Sequence, residues 1–551
     1  MRTFLLASLL VAAPAAAQLR PAAPHTRADS LRGSTTAPER TWWDVTYYDL
    51  KVRLQPADSS IRGSNAITFR ALRPGRVLQV DLMMPLEVDS VRYAARKVPF
   101  RRDGNAFFIT LSRPVAARAS ATVTVYYHGQ PRVAVNPPWQ GGFSWNTDSL
   151  GRPWIVTTDQ GMGASVWWPN KDTQADEPDS QQVAITVPAG LMNISNGRLQ
   201  DSLLNADGTR TYRWKVVSPI NNYAIAVGTG HYAHFSDTYQ GEGGTLTMDY
   251  WPLDYHLNDA QLTFPQARTM LACFEGWFGP YPWYADGYKL IEVPNNGMEH
   301  QSAVAYGNRY RNGYQGRDAS GTGLGMQWDF IIIHESAHEW WGNSLTTADL
   351  ADMWVHESFA NYAEGLYVEC LFGKEAGATY TVGTRRGIRN DRPIVPDVYG
   401  VNAQGSGDMY PKGGNMLHTI RQIVGDDAKW RGILRGLQST YRHQIVTGAQ
   451  VQQFISQQSG EDLSRVFTQY LRDTRIPAFE YRPRGDTVEY HWADVITGFD
   501  MQVKVGFGDG SSRILYPKEA WQRMVTPAGQ GGSLTVDRNY YVIPRPVATT
   551  N

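Results

Sequence analysis

The sequence predicts a multidomain α+β protein: an all-β region first, a mixed region of strands and helices in the middle, and a small β-sandwich last. Three observations carry this reading. Between Tyr48 and Leu54, apolar residues alternate with Asp49, Lys51 and Arg53, the period-two signature of a half-buried strand. From Phe330 to Ile333 an unbroken apolar run leads into His334-Glu335-Ser336-Ala337-His338 without a turn signal, which reads as a buried helix. Beyond Arg475-Ile476-Pro477, short strand-like segments return, separated by Arg484-Gly485-Asp486 and Gly508-Asp509-Gly510. A chain of 551 residues also exceeds what one core holds, and length alone suggests about three domains.

Taken in order, residues 1–17 read as a signal peptide. Arg2 gives a positive start, Phe4 to Ala13 a short apolar core, and Ala15-Ala16-Ala17 a small-residue cleavage site before Gln18. The run is too short to span a bilayer, and no later stretch reaches the ~20 apolar residues a span needs. The expectation is a cleaved, exported protein, periplasmic or secreted. Residues 18–40, rich in Ala, Pro, Arg, Ser and Thr, read as a flexible leader.

Residues 41–230 read as an N-terminal β domain. Its strands are expected at Val123–Tyr127, Val183–Val187 and Tyr223–Val227, with a hairpin turn at Arg102-Asp103-Gly104-Asn105 before Phe107–Leu111. Residues 231–474 follow as the catalytic domain. It opens on a strand at Thr245–Trp251, turns helical over Ala267–Trp277, and returns to a strand at Leu290–Val293. If that strand is an edge, an incoming peptide could pair with it. A helix is expected through Lys412–Val424, a capping box at Thr447-Gly448-Ala449-Gln450 starts another, and Ser459 with Asp462 starts the next. Residues 475–551 close the chain, with Phe479–Tyr481, Val488–Trp492 and Met501–Val505 as strands.

Composition narrows the class. Lys+Arg and Asp+Glu both number 52, so the net charge is zero and no basic surface points to nucleic acid. Hydrophobic content of 42% and charged content of 19% are those of a folded protein rather than a disordered one. The only cysteines, Cys273 and Cys370, sit in apolar helical contexts that favour two buried thiols over a disulfide.

The chemistry is concentrated at His334-Glu335-Ser336-Ala337-His338. Residues four apart in a helix share a face, with Cβ atoms roughly 5–6 Å apart. Two imidazoles so placed can point at one Zn²⁺, while Glu335, offset about 100° around the helix, stays free to act as a general base. A hydrolytic zinc takes about three protein ligands. Downstream, Trp354, Phe359, Tyr362, Ala363 and Leu366 form an apolar stripe of near-helical period. Eighteen residues separate His338 from Glu357, room for the chain to turn and bring Glu357 back as the third ligand. Two neutral imidazoles and one carboxylate would leave a divalent ion with net charge +1. Asn361 and Glu364 read equally well as a solvated face or as groups that orient the histidines. His356, adjacent to Glu357, points elsewhere on the helix.

With these residues in place, the chain resembles the gluzincin zinc aminopeptidases, which include alanyl aminopeptidases and the leukotriene epoxide hydrolase. The spacing from His334 to Glu357 within Trp354-Val355-His356-Glu357-Ser358-Phe359-Ala360 matches that family. So do Phe278-Gly279-Pro280-Tyr281-Pro282 and Asn296-Gly297-Met298-Glu299-His300, the latter corresponding to a G-x-M-E-N signature with Asn296 for the first Gly and His300 for the Asn. Tyr410-Pro411-Lys412-Gly413 matches the family's Y-x-K-G. The resemblance implies a thermolysin-like zinc domain with one Zn²⁺ per chain and peptide substrates with a free amino terminus. It further implies that Gly297, Met298 and Glu299 bind substrate, Glu299 taking the α-amine, and that Tyr410 stabilises the oxyanion. Gln160, placed ahead of Trp168-Pro169, resembles a family position lining the same first pocket and reads equally well as an exposed loop glutamine. Many family members continue into a large helical domain for which this chain has no residues left, implying a more open cleft or an oligomer that supplies the wall. A thermolysin-like zinc endopeptidase and a catalytically inert scaffold of the same fold are the competing readings, and Glu299 and the intact site residues argue against them. Epoxide hydrolysis on the same site is not readable from these residues.

Overall fold

The computed structural model describes residues 25–527 and 534–548. The signal peptide read at residues 1–17 lies outside the described residues. Residues 25–40 are not a flexible leader. They form helices Arg27–Gly33 and Pro38–Thr41, the first started by a capping box between Thr26 and Asp29. Arg40 is 2% exposed and paired with Asp81. Composition alone concealed these long-range partners.

The architecture is the expected mixed α+β arrangement. Strand Trp43–Gln55 sits inside an eight-stranded sheet, antiparallel to Ser60–Ala71 and parallel to Ser180–Pro188. Tyr48, Leu50, Val52 and Leu54 are buried and Lys51 is exposed, as their alternation requires. A three-stranded and a four-stranded sheet complete this part around one apolar core that includes Trp43, Phe69, Trp167 and Trp168. Residues 223–227 are not a strand: the chain makes a 3₁₀ turn at Asn222–Ala224. Side chains take up the backbone donors there, Asn196 Oδ1 accepting from Ala226 N at 2.7 Å and Thr157 Oγ1 from Val227 N at 3.0 Å.

The middle of the chain carries a five-stranded sheet in the order 235–241, 244–251, 288–292, 304–306, 297–298. Strand Tyr288–Glu292 is therefore central, hydrogen-bonded on both sides and fully buried, and not an edge. The edges are strand Phe235–Gly241 and the short strand Gly297–Met298. Helices Gln266–Phe278, Phe330–Ala337, Trp354–Phe372 and Pro411–Val424 pack with this sheet in a single apolar cluster. Cys273 and Cys370 are joined in a disulfide between the first and third of these helices, correcting the expectation of free thiols. Either state suits an apolar helix face, and only the pairing of the two helices decides.

Thr447 does open helix Gly448–Ser459 with a capping box. Ser459 ends that helix before left-handed Gly460. The next, Ser464–Arg472, has Leu463 at its N-cap and no side-chain cap, Asp462 just before it accepting from Ser464 N at 3.0 Å. After Arg472 the described residues contain strands and no further helix. These form a four-stranded and a three-stranded sheet whose core, Phe479, Trp492, Val503 and Val542, is continuous with the helices. Strand Val503–Gly506 begins two residues later than its alternation suggested.

Candidate active site

Helix Phe330–Ala337 exists because Asp329 caps it. Asp329 Oδ1 accepts from Ile331 N at 3.0 Å and Ile332 N at 3.3 Å, while Tyr306 and Asn308 hold the same carboxylate. Ile331, Ile332 and Ile333 are buried; Ile332 and Ile333 point into the core, while Ile331 lines the cavity on the face that carries His334 and, at the C-cap, His338. The two imidazole centroids lie 5.1 Å apart. His338 Nδ1 lies 2.8 Å from the Trp341 carbonyl, and His334 Nδ1 lies 2.8 Å from Glu364 Oε1. Both partners only accept, so both Nδ1 atoms donate, and each ring is left with a lone pair on Nε2.

Those two Nε2 atoms face Glu357, delivered by helix Trp354–Phe372. Glu357 Oε2 is 3.4 Å from His338 Nε2 and 3.7 Å from His334 Nε2, and the three ligand atoms lie within 4.8 Å of one another. This oxygen is buried and has no hydrogen-bond donor. A buried carboxylate oxygen facing two imidazole lone pairs fits a cation, and the N₂O donor set suits Zn²⁺. Glu364 is an orienting group and not part of a solvated face. It is fully buried and accepts from His334, from Asn361 at 3.1 Å and from the Tyr380 hydroxyl at 2.8 Å. Glu364→Ala is expected to weaken zinc binding about 10–100-fold, measured by competition with a chromogenic chelator. An unchanged dissociation constant would remove its orienting role.

The other wall carries Glu299, two residues past Gly297. Gly297 has φ +121°, and a Cβ there would lie 2.8 Å from Ile331 Cγ2 and 3.2 Å from Glu335 Oε1, so only glycine fits. Glu299 is buried, and that burial pushes its carboxyl above the usual range. Gln160 Nε2 donates to both Glu299 and Glu357, the latter at 3.1 Å, and Tyr223 donates to Glu299 at 3.2 Å. Gln160 is thus in the site and not an exposed loop residue. Its loop is held by Arg32, which donates to Gly161 O at 2.7 Å and to Met162 O. Neither Tyr223 nor Arg32 carried a sequence signal: one lay in an apparent strand, the other in an apparent leader.

Glu335 is half-buried in the same cavity, and burial pushes its carboxyl up to about 7. Tyr410 stacks near His334, with ring centroids 5.9 Å apart. Burial first, and then the Glu357 charge, raise its phenol well above the usual range, so it keeps its proton and can donate. Met298 lines the cavity beside Glu299, and all these residues border one space of ≈ 330 Å³. His300 does not line it; burial pushes its imidazole down to about 3 and leaves it neutral. His356 is structural, its Nε2 accepting from Thr347 N at 3.0 Å.

Two imidazoles, a third ligand from a neighbouring helix, an acid beside them and a second carboxylate across the cavity make up a site with the donor set of a metal centre. The comparisons with known proteins agree. Residues 263–470 match the Peptidase family M1 domain, and the resemblance to the gluzincin zinc aminopeptidases holds over the segment that carries the ligands. A probable aminopeptidase 1 of Sulfurisphaera tokodaii is 22% identical over 332 residues, 57% of this chain and 41% of that protein. Human aminopeptidase B is 26% identical over 292 residues, 51% of this chain and 39% of the relative. The chain spans about 40% of the length of the first of these curated relatives. Among solved structures, a two-domain M1 zinc metallopeptidase bound to L-tryptophan superposes with a TM-score of 0.68 at 20% identity, covering 81% of this chain and 98% of that one. An M1 zinc metallopeptidase from Deinococcus radiodurans gives 0.66 at 20% identity, covering 79% and 94%.

Proposed function

We propose that this chain is a zinc-dependent aminopeptidase that hydrolyses the first peptide bond of peptides with a free amino terminus. The observation that carries the reading is the placement of Glu299: a buried carboxylate on the same cavity as His334, His338 and Glu357, held by Gln160 and Tyr223. When bound by His334, His338 and Glu357, Zn²⁺ supplies Lewis acidity, lowering the pKa of water toward ~7 and polarising a carbonyl.

The chain's own residues do the rest. Glu299 pairs with the substrate's α-ammonium and, with the Gln160 amide, sets the first peptide bond at the metal ligands. Glu335 takes the proton of the attacking water and passes it to the leaving amine. Tyr410 donates a hydrogen bond to the oxyanion of the tetrahedral adduct. An internal peptide segment brings no cation, so it would bury Glu299 unpaired at a cost of a few kcal/mol. That charge argument favours an aminopeptidase over an endopeptidase on the same metal helix.

The test compares free and acetylated amino termini. Wild-type protein should cleave an aminoacyl-coumarin and not its N-acetylated counterpart, and a chelator should abolish the activity. Glu299→Ala should cost about tenfold or more in kcat/KM on the free amine and narrow the gap between the two substrates. Equal cleavage of both substrates by the wild type would instead establish an endopeptidase.

Export belongs to the same proposal. The charged start, short apolar core and alanine-rich site of residues 1–17 support a cleaved signal peptide and a periplasmic or secreted protein. The Cys273–Cys370 disulfide suits an oxidising compartment. No helix among the described residues is long and apolar enough to cross a membrane.

A further inference from the structure

We propose that Trp139 forms the wall that receives the substrate's first side chain, and that it selects peptides beginning with a large uncharged apolar residue. The proposal rests on the aminopeptidase reading and deepens it. Trp139 is 55% exposed, an unusual state for an indole, yet it borders the cavity that holds the metal ligands.

Its position follows from sheet register. Strand Gly142–Thr147 pairs antiparallel with Pro153–Thr158, Gly142 opposite Thr158. A Cβ on Gly141 would lie 1.8 Å from Thr158 O, so the two chains touch at this point. The loop entering the first strand therefore lies beside the loop leaving the second, which carries Gln160. That loop is closed on itself, Gln140 N donating to Asn136 O at 2.9 Å and Val135 N to Gln140 O at 3.0 Å, which presents Pro138 and Trp139 at its tip. Gln160 touches Glu299, where the α-amine binds. The first side chain leaves the atom that bears this amine, so the wall next to Gln160 is the one it meets.

Charge completes the argument. Among the described residues no Lys, Arg or Asp lines the cavity. Its four carboxylates already have roles: Glu299 for the amine, Glu357 for the metal, Glu364 for His334, and Glu335 as base. A cationic first side chain finds no free partner, and an anionic one meets only repulsion. An apolar or aromatic side chain instead covers the indole and displaces water from it.

The experiment measures kcat/KM for Phe-, Leu-, Ala-, Lys- and Glu-aminomethylcoumarin with wild type, Trp139→Ala and Trp139→Phe. Binding of Phe-Ser-Ala and Ala-Ser-Ala to Glu335→Gln protein, with and without Trp139→Ala, gives a readout independent of turnover. The wild type should prefer Phe and Leu over Ala, Lys and Glu by about tenfold or more. Trp139→Ala should shrink the Phe/Ala ratio by about tenfold in both rate and affinity, and Trp139→Phe should restore most of it. An equal loss on every substrate or a wild-type preference for Lys or Glu would overturn the proposal. Absence of turnover and binding across the whole panel would instead overturn the aminopeptidase reading itself.

Discussion

Glu335→Gln protein should bind one equivalent of zinc and turn over on the order of 10²–10⁴ more slowly than the wild type. Metal is retained because Glu335 is not one of the three ligands. It follows His334 by one residue, about 100° around the helix, and the ligating atoms of His334, His338 and Glu357 meet without it. Turnover falls because the amide keeps the side chain's size and hydrogen bonding but cannot accept and return a proton. Burial already holds this carboxyl up to about 7, where taking a proton from water and giving it to an amine cost comparable amounts. Zinc content by atomic absorption and kcat on a Leu-coumarin substrate check the two halves separately. Activity within about tenfold of wild type would remove Glu335 as the base, and loss of the metal would make it a ligand.

Glu357→Ala should abolish zinc retention on dialysis and turnover with it. Its expected effect exceeds the ~10–100-fold assigned to an orienting residue such as Glu364, because it removes a donor atom and the only anionic one. The geometry makes the loss specific. Glu357 comes from the neighbouring helix, and its Oε2 reaches both Nε2 atoms within 3.7 Å. Without it, two imidazoles on a single helix must hold a divalent ion alone. Wild-type protein should also melt at a higher temperature with zinc than after chelation, and the variant should lose that difference. A variant that keeps stoichiometric zinc would show that another residue is the third ligand.

The metal ligands were legible in the sequence because the information is local. The four-residue step from His334 to His338 puts both rings on one side of any helix, and the apolar stripe around Glu357 declares a second helix within turning distance. Strand alternation from Tyr48 to Leu54 was legible for the same reason. Glu299 and Tyr410 were reached only through resemblance, since nothing in their own surroundings fixes a distance to the metal. Glu364 stood ambiguous because its spacing suits a solvated face as well as a buried one, and the Nδ1 proton of His334 decides between them.

By itself, then, the chain's order of residues determined which groups share a helix face or a strand face: the two imidazoles, the base beside them, and the alternating strands of the first sheet. Only the tertiary structure decided which faces meet. It brought Tyr223 and Gln160 onto Glu299, locked the loop of Gln160 with Arg32, bonded Cys273 to Cys370, and set Trp139 over the cavity. The physical reason is range. Backbone geometry imposes its periods over a few residues, whereas contacts between residues 76 to 139 positions apart follow from how whole apolar surfaces pack, which no local pattern encodes.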